Sequence, residues 1–201
     1  MRPYLIIATW VAFCVFWMSN VWSVKATVER QSLAAMLPSR LLTLAGGVLL
    51  FWYAPPHPLE IRIVSHTLAS GCIGLLLCIL GLGLAIWSRR TLGGNWSSLV
   101  ALKQGHELVE RGPYGLVRHP IYSAVLLMGL GTAVSFGRVG CWIGLLLLSW
   151  GFWLKLRQEE RLLSRHFPGA YPAYMRRVKA LVPWVFASAF CLLALASAAP
   201  T

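Results

Sequence analysis

The chain has 201 residues and is 58% apolar, with ten tryptophans. Only 12% of its residues are charged, about half the fraction that is typical of a soluble domain. This composition excludes a water-soluble globular protein and indicates an integral membrane protein. The net charge of +12 is assigned to membrane topology and to attraction by anionic membrane lipids, not to nucleic-acid binding.

Five apolar runs are predicted to be membrane-spanning helices, because about 20 apolar residues cross a hydrocarbon core about 30 Å thick. In chain order they cover residues 4–24, 41–53, 64–87, 121–136 and 139–156. The second and fourth runs are short, so each either extends into its flanks or pairs with the next run as a hairpin. The tip of the hairpin between the fourth and fifth runs is predicted at 136–138. The first run is interpreted as a span and not as a cleaved signal peptide.

The predicted fold is therefore all-α and polytopic, with five spans; the run at 182–198 either crosses the membrane as a sixth span or lies in it. We expect a single membrane domain over 1–201, with scaffold spans in 1–87, a functional core in 88–183 and an apolar tail in 184–201. Glycines in the third span and in the hairpin predict close helix contacts; they are Gly71, Gly74, Gly81, Gly83, Gly129, Gly131, Gly140 and Gly144. The five cysteines lie in apolar runs without metal-ligand spacing, so no metal site is predicted.

The basic residues orient these spans. Twelve of the 18 Lys and Arg residues lie in two segments, 88–119 and 155–179. Both segments are predicted to be cytoplasmic, since cytoplasmic loops are enriched in Lys and Arg. Five spans alternate consistently with this assignment when the amino terminus is outside. The first cytoplasmic segment contains several glycines and is predicted to be a folded loop.

An unusual strip of residues, 112–122, leads from that loop into the fourth span. Proline disfavours helix in the residue before it and suits the first turn of a helix, so His119 is predicted to cap a helix that starts at Pro120. The free N–H groups of that helix end, together with Arg118 and His119, suit a carboxylate or a phosphate. The residues alone leave a second interpretation open, in which Arg118 reaches lipid phosphates and His119 is only a cap.

A pair of acidic residues, Glu159 and Glu160, lies on a predicted helix over 155–166 that continues the fifth span. Neighbouring residues on a helix point about 100° apart. We therefore expect one carboxylate to pair with Arg157 or Lys155 at helical spacing while the other turns inward toward a cationic or hydroxyl-rich ligand. Two solvated glutamates are the alternative.

Taken together, these motifs resemble the isoprenylcysteine carboxyl methyltransferase and phospholipid methyltransferase superfamily over residues 89–183. The resemblance rests on Leu92-Gly93 with Trp96-Ser97, Gly105-His106-Glu107-Leu108, the strip at 112–122, Glu159-Glu160 with Leu162, and Phe167 with Tyr171 and Tyr174. It implies a multi-span helical enzyme that binds S-adenosylmethionine in a cytoplasmic pocket formed by the carboxy-terminal half. The acceptor would reach this pocket from the bilayer.

The resemblance also implies roles for individual residues. It assigns cofactor binding to His106, Tyr114, Leu116, Val117, Arg118, His119, Pro120, Tyr122, Glu159 and Glu160, and it implies that the pair Glu159 and Glu160 is required for catalysis. Arg118 is also a predicted catalytic residue, because Arg118, Arg176 or Arg177 could hold an acceptor carboxylate. Ala124 departs from the family pattern, which often has glycine there, so its methyl group either reshapes the pocket floor or moves a helix contact.

The predicted function is methyl transfer from S-adenosylmethionine to a lipophilic acceptor, either a prenylcysteine-type carboxylate or a lipid amine. A carboxylate is already ionised at neutral pH and needs no general base, whereas an amine needs a glutamate or His106 to accept a proton. An NADPH-dependent membrane reductase with a similar helical core and a non-catalytic scaffold or transport protein are the alternatives. The sequence does not specify an oligomeric state.

Overall fold

A computed structural model describes residues 4–20, 27–30, 32–52, 55–96, 101–103 and 108–181. Predictions that concern His106 and the run at 182–198 lie outside these residues. In chain order the described elements are α1 (Tyr4–Ser19), β1 (Thr27–Arg30), α2 (Leu33–Phe51), α3 (Leu68–Leu92), a 3₁₀ turn (Gly93–Asn95), β2 (Ala101–Lys103), α4 (Pro113–Leu116), α5 (Pro120–Phe136), α6 (Val139–His166) and α7 (Ala170–Arg177).

The fold is predominantly helical, as predicted, and each of the five predicted spans corresponds to one long helix. The antiparallel pair of β1 and β2 was not predicted, and its strands of four and three residues are too short to show a clear alternating pattern. Three described helices, α2, α3 and α6, are long and apolar enough to cross a membrane. Because α1 and α5 have only 16 and 17 residues, five membrane crossings remain a prediction.

Helix ends differ from the predicted bounds where a local cap decides them. The second helix starts at Leu33 and not near residue 41, because the Ser32 side chain accepts a hydrogen bond from the Ala35 N–H at 3.3 Å. A capping box of Thr67 and Ser70 starts α3. The prediction of a loop from residue 88 is wrong, since α3 continues to Leu92.

The carboxy-terminal helices follow the prediction more closely. Residues 155–166 continue the fifth span as part of one unbroken helix, α6. Gly137 ends α5 in the left-handed conformation with φ 69°, and it turns the chain into α6 at the predicted tip. Glycine adopts this conformation without the steric cost that other residues meet.

Glycines bring the long helices together in two antiparallel pairs. In the α3–α5 pair, a Cβ added to Gly74 would lie 2.4 Å from the Gly131 carbonyl oxygen. In the α2–α6 pair, a Cβ added to Gly46 would lie 2.6 Å from the Gly144 carbonyl oxygen. Close packing at Gly74, Gly131 and Gly144 is therefore confirmed. The prediction of close packing at Gly83 is wrong, because no described atom lies within 4 Å of a Cβ added there.

One end of this bundle collects the segments that carry the charged motifs. Met36 near the start of α2 packs against Leu162 near the end of α6, and Arg89 near the end of α3 donates to the Asn20 carbonyl at 2.8 Å. At the other end, the Ile63 N–H donates to the Gly137 carbonyl at 2.9 Å. The helices thus alternate in direction, and the start of α5 lies at the same end as the last turns of α6.

Candidate functional site

The strip at 112–122 is held in place by the segment that follows α7. Val117 forms a parallel bridge with Lys179. The next two residues continue this pairing: the Arg118 N–H donates to the Lys179 carbonyl at 2.8 Å, and the His119 N–H donates to the Ala180 carbonyl at 2.9 Å. These backbone bonds fix the two basic residues at the start of α5, where their side chains meet α6.

His119 lies between the two glutamates. Its Nε2 is 3.2 Å from Glu160 Oε1, its Nδ1 is 3.6 Å from Glu159 Oε2, and its side chain is 7% exposed. The ring stacks on Tyr122 with a centroid distance of 5.4 Å. Within the described residues the His119 side chain makes no capping hydrogen bond to α5, so the interpretation of His119 as only a cap is wrong.

Arg118 is also buried and bound within the protein. Its Nε and Nη2 donate to Glu160 Oε1 at 2.9 and 2.6 Å. Its Nη1 donates to the carbonyls of Met175, at 3.2 Å, and Val178. With a side-chain exposure of 9%, Arg118 does not reach lipid phosphates, and that alternative is wrong.

The two carboxylates both turn inward, which corrects the prediction that only one does. Adjacent helix positions still give them different surroundings: Glu160 binds Arg118, whereas Glu159 Oε1 accepts a hydrogen bond of 2.5 Å from the Tyr122 hydroxyl. Both reach His119 because its two ring nitrogens face different directions. The alternative of two solvated glutamates is wrong as well. We call Arg118, His119, Glu159 and Glu160 the charge cluster.

His119 and the two glutamates shift one another's pKa values toward their ionised forms. Burial alone would lower the pKa of His119, but hydrogen bonds and charges from Glu159 and Glu160 raise that pKa above its ordinary value. Burial would likewise raise the pKa of both carboxyl groups, but His119, with Lys155 for Glu159 and Arg118 for Glu160, holds each pKa below its ordinary value. Each of these three groups is therefore stabilised in its ionised form by its neighbours in a largely buried space.

The tyrosine block on α7 closes one side of this region. Tyr171 and Tyr174 are almost fully buried, with ring centroids 5.8 Å apart. The Tyr174 hydroxyl donates to the Tyr114 carbonyl at 2.5 Å, which ties α7 to α4. Burial raises the pKa of Tyr174 to about 12, so this hydroxyl stays a neutral donor.

The remaining predicted site residues lie at varied positions. Tyr114, Val117 and Pro120 are buried beside the cluster. Leu116 is 63% exposed and lies on the outer surface of the strip. Ala124 lies at the α3–α5 contact, since its carbonyl oxygen would be 2.7 Å from a Cβ on Gly81, which favours the helix-contact interpretation of its methyl group.

Phe152 lies near the site and was missed from the sequence, whereas Lys155 was named only as a possible partner of one glutamate. Phe152 stacks on the Tyr122 ring at a centroid distance of 4.8 Å, and Lys155 Nζ lies 5.2 Å from the centroid of the same ring. Their spacing contains the signal, because Phe152, Lys155 and Glu159 are three and four residues apart and share one helix face.

A family model and several relatives of this chain have the same family name. A sequence model of the isoprenylcysteine carboxyl methyltransferase family matches residues 73–165. The chain is 32% identical to protein-S-isoprenylcysteine O-methyltransferase B of Arabidopsis thaliana over 115 residues, which are 56% of this chain and 58% of that protein. It is 31% identical to protein-S-isoprenylcysteine O-methyltransferase of Xenopus laevis over 116 residues, 56% of this chain and 40% of that protein.

A third relative has a different name. The nickel-cobalt-cadmium resistance protein NccN of Alcaligenes xylosoxydans xylosoxydans is 32% identical over 112 residues, which cover 52% of this chain and 50% of that protein. The chain thus spans about half the length of these curated relatives. The family match includes α5 and most of α6, and therefore all four residues of the charge cluster.

Proposed function

We propose that this chain, whose residues 73–165 match the isoprenylcysteine carboxyl methyltransferase family, is a membrane enzyme that methylates the carboxylate of a prenylcysteine-type acceptor, as the names of its relatives suggest. S-adenosylmethionine would be the methyl donor. The observation that carries the proposal is the charge cluster: two basic and two acidic side chains are buried together within the segment that matches the family.

The residues of the cluster fit this cofactor in charge and in donor chemistry. The methionine part of S-adenosylmethionine has a carboxylate and an ammonium group, and its ribose has two hydroxyls. Arg118 and His119, at the amino end of α5, would hold the carboxylate. Glu159 and Glu160 would accept from the ammonium group or the ribose hydroxyls. The four side chains now bind one another at 2.6 to 3.6 Å. The charged groups of the cofactor would take the place of some of these contacts, so each side chain would keep a partner of opposite charge.

The cluster also favours a carboxylate acceptor over an amine. When bound, S-adenosylmethionine supplies an electrophilic methyl group, and a carboxylate acceptor is ionised at neutral pH without a general base. An amine must lose a proton, and both glutamates have pKa values held below their ordinary range, which makes them weak bases. The protein's contribution would be to orient the acceptor and exclude water.

We further propose that the five long helices all cross the membrane with the charge cluster on the cytoplasmic side. The alternating helix directions support this arrangement, as does the concentration of Lys and Arg at 88–119 and 155–179. The shorter α1 and α5 would then need tilt-free crossings or a locally thinner bilayer.

Cofactor binding tests the proposal most directly. S-adenosylhomocysteine at about 100 times its dissociation constant should stabilise the purified protein by roughly 2 to 3 kcal/mol, whereas NADPH should not. Glu160→Gln and His119→Ala should abolish that stabilisation. Glu110→Gln is a matched control, because Glu110 forms an exposed ion pair with Arg177 at 2.8 Å. Unchanged S-adenosylhomocysteine binding in both cluster variants would contradict the assignment of the site.

A further inference from the structure

A groove on the surface between α2 and α6 leads toward the charge cluster. Its cavity has a volume of about 520 Å³. The residues that line it include Arg40, Leu44, Gly47 and Val48 from α2, and Phe152 and Lys155 from α6. The α2 side lies outside the segment at 73–165 that matches the family, so the family match assigns no role to it.

The groove is amphipathic along its length. Arg40 and Lys155 both line it, and Leu44 and Val48 follow Arg40 one and two turns further along α2. With a rise of about 1.5 Å per residue, the apolar stretch extends roughly 12 Å from Arg40. Two cations at one end of an apolar groove complement a ligand that has an anionic group and an attached hydrocarbon chain.

The groove and the charge cluster share a wall. Phe152 and Lys155, which line the groove, both contact the Tyr122 ring. The Phe152 ring stacks on it at a centroid distance of 4.8 Å, and Lys155 Nζ is 5.2 Å from its centroid. The Tyr122 hydroxyl in turn donates to Glu159 at 2.5 Å. Only the Tyr122 ring therefore separates a ligand at the inner wall of the groove from the Glu159 carboxylate.

We propose that this groove binds the acceptor, with its carboxylate held by Arg40 and Lys155 and its hydrocarbon chain along Leu44 and Val48. The inference rests on the proposed function. It adds a binding location for the acceptor and two cations that select an acceptor with a carboxylate. It also changes the role of α2 from scaffold to acceptor-binding helix. In the proposed reaction a carboxylate oxygen would bond to the methyl group while the methyl–sulfur bond of S-adenosylmethionine breaks, and S-adenosylhomocysteine would leave. The resulting ester is uncharged, so it binds less tightly to the two cations than the acid does.

Charge recognition can be tested with N-acetyl-S-farnesyl-L-cysteine and its uncharged carboxamide. Their affinities are measured for the protein in phosphatidylcholine nanodiscs, relative to empty discs. Arg40→Gln should weaken binding of the acid about tenfold and leave binding of the carboxamide unchanged, since a charge-assisted contact of this kind is worth about 1.4 kcal/mol or more. Arg40→Lys should retain most of the affinity. Arg161→Gln removes an exposed cation of α6 that does not line the groove, and it should change neither affinity.

The hydrocarbon part of the groove has its own matched pair of variants. No described atom lies within 4 Å of a Cβ placed on Gly47 or on Gly83, so neither helix backbone clashes with an added side chain. Gly47→Leu fills the groove and should weaken both the acid and the carboxamide at least tenfold. Gly83→Leu adds the same side chain to an exposed face of α3 and should leave both affinities unchanged.

The outcomes separate this inference from the proposed function. Failure of S-adenosylhomocysteine to stabilise the wild-type protein overturns the methyltransferase proposal, whatever binds in the groove. Normal stabilisation with no effect of Arg40→Gln and Gly47→Leu on acid binding overturns the groove alone. Equal losses for acid and carboxamide in Arg40→Gln overturn the charge recognition. Displacement of the acid by phosphatidylglycerol at equimolar concentration would make the groove a site for bilayer lipid.

Discussion

The two glycine-mediated helix pairs have the same contact geometry but different surroundings. In the α3–α5 pair the space beside the contact is filled, since a Cβ on Gly81 would lie 2.6 Å from Met128 Cγ. In the α2–α6 pair, Gly46 makes the contact while its neighbour Gly47 lines an open groove. The described contact of the first pair is filled, and the second pair borders an open groove.

The difference shows that the helix pairing and the ligand site depend on different residues of the same helices. The glycines set how close the backbones lie, and the side chains next to them decide whether the remaining space is filled. The charge cluster lies across the two pairs, because Arg118 and His119 precede α5 whereas Glu159 and Glu160 belong to α6. Breaking the cluster therefore tests how the pairs are joined, and altering the glycines tests each pair separately.

The largest effect is expected at the junction of the two pairs. Glu160→Gln leaves Arg118 and His119 with reduced compensation in a site where the Glu160 side chain is 11% exposed. Removing one partner from a buried ion pair costs about 3 to 5 kcal/mol. The free energy of unfolding, measured by denaturation in detergent micelles, should fall by that amount. A loss below about 1 kcal/mol, as for an exposed pair, would show that the cluster does not join the two pairs.

The glycine contacts should be equally sensitive in both pairs. Gly74→Ala places a Cβ 2.4 Å from the Gly131 oxygen, and Gly46→Ala places one 2.6 Å from the Gly144 oxygen. Each should lower the free energy of unfolding by about 1 to 3 kcal/mol, because the backbones must move apart. Gly83→Ala is the control and should be neutral or slightly stabilising. A neutral Gly46→Ala beside a damaging Gly74→Ala would mean that only the scaffold pair is tightly packed.

The pH dependence of stability distinguishes the contribution of His119 from that of the two glutamates. The pKa of His119 is raised above its ordinary value of 6.5, so its contribution is complete below that value and is lost as pH rises through the raised pKa. The pKa values of Glu159 and Glu160 are lowered from 4.5, so their contribution is present above 4.5 and is lost as pH falls through the lowered values. The melting temperature should therefore decline on both sides of a mildly acidic to neutral maximum. In His119→Gln the alkaline decline should be smaller; an unchanged alkaline decline would rule out His119 as its source.

The sequence predicts most of the helices because hydropathy and length decide which segments enter a bilayer. Helix ends depend on single capping residues, so Ser32 extended α2 beyond the expected start. For the site, the residue types and their segments were predictable, but their mutual pairing was not. Which carboxylate faces inward depends on a partner from another helix, and His119 offers one nitrogen to each.

The groove between α2 and α6 was even harder to predict from the sequence than the pairing within the charge cluster. The residues Arg40 and Thr43 fell at the edge of the predicted second span, where an arginine is expected simply as a flanking charge. They line a groove only because α2 lies against Phe152 and Lys155. A pairing of this kind joins positions more than 100 residues apart in the chain, and no local pattern specifies it.

The smallest effect is expected where an ion pair lies outside both helix pairs. Glu110 and Arg177 are 2.8 Å apart, but the arginine side chain is 65% exposed, so water and salt screen the interaction. Glu110→Gln should lower the free energy of unfolding by less than about 1 kcal/mol, and the difference from wild type should shrink further in high salt. The contrast with Glu160→Gln is informative because both variants remove one carboxylate that binds an arginine. If the two losses were similar, burial between the helix pairs would not be what gives the charge cluster its strength.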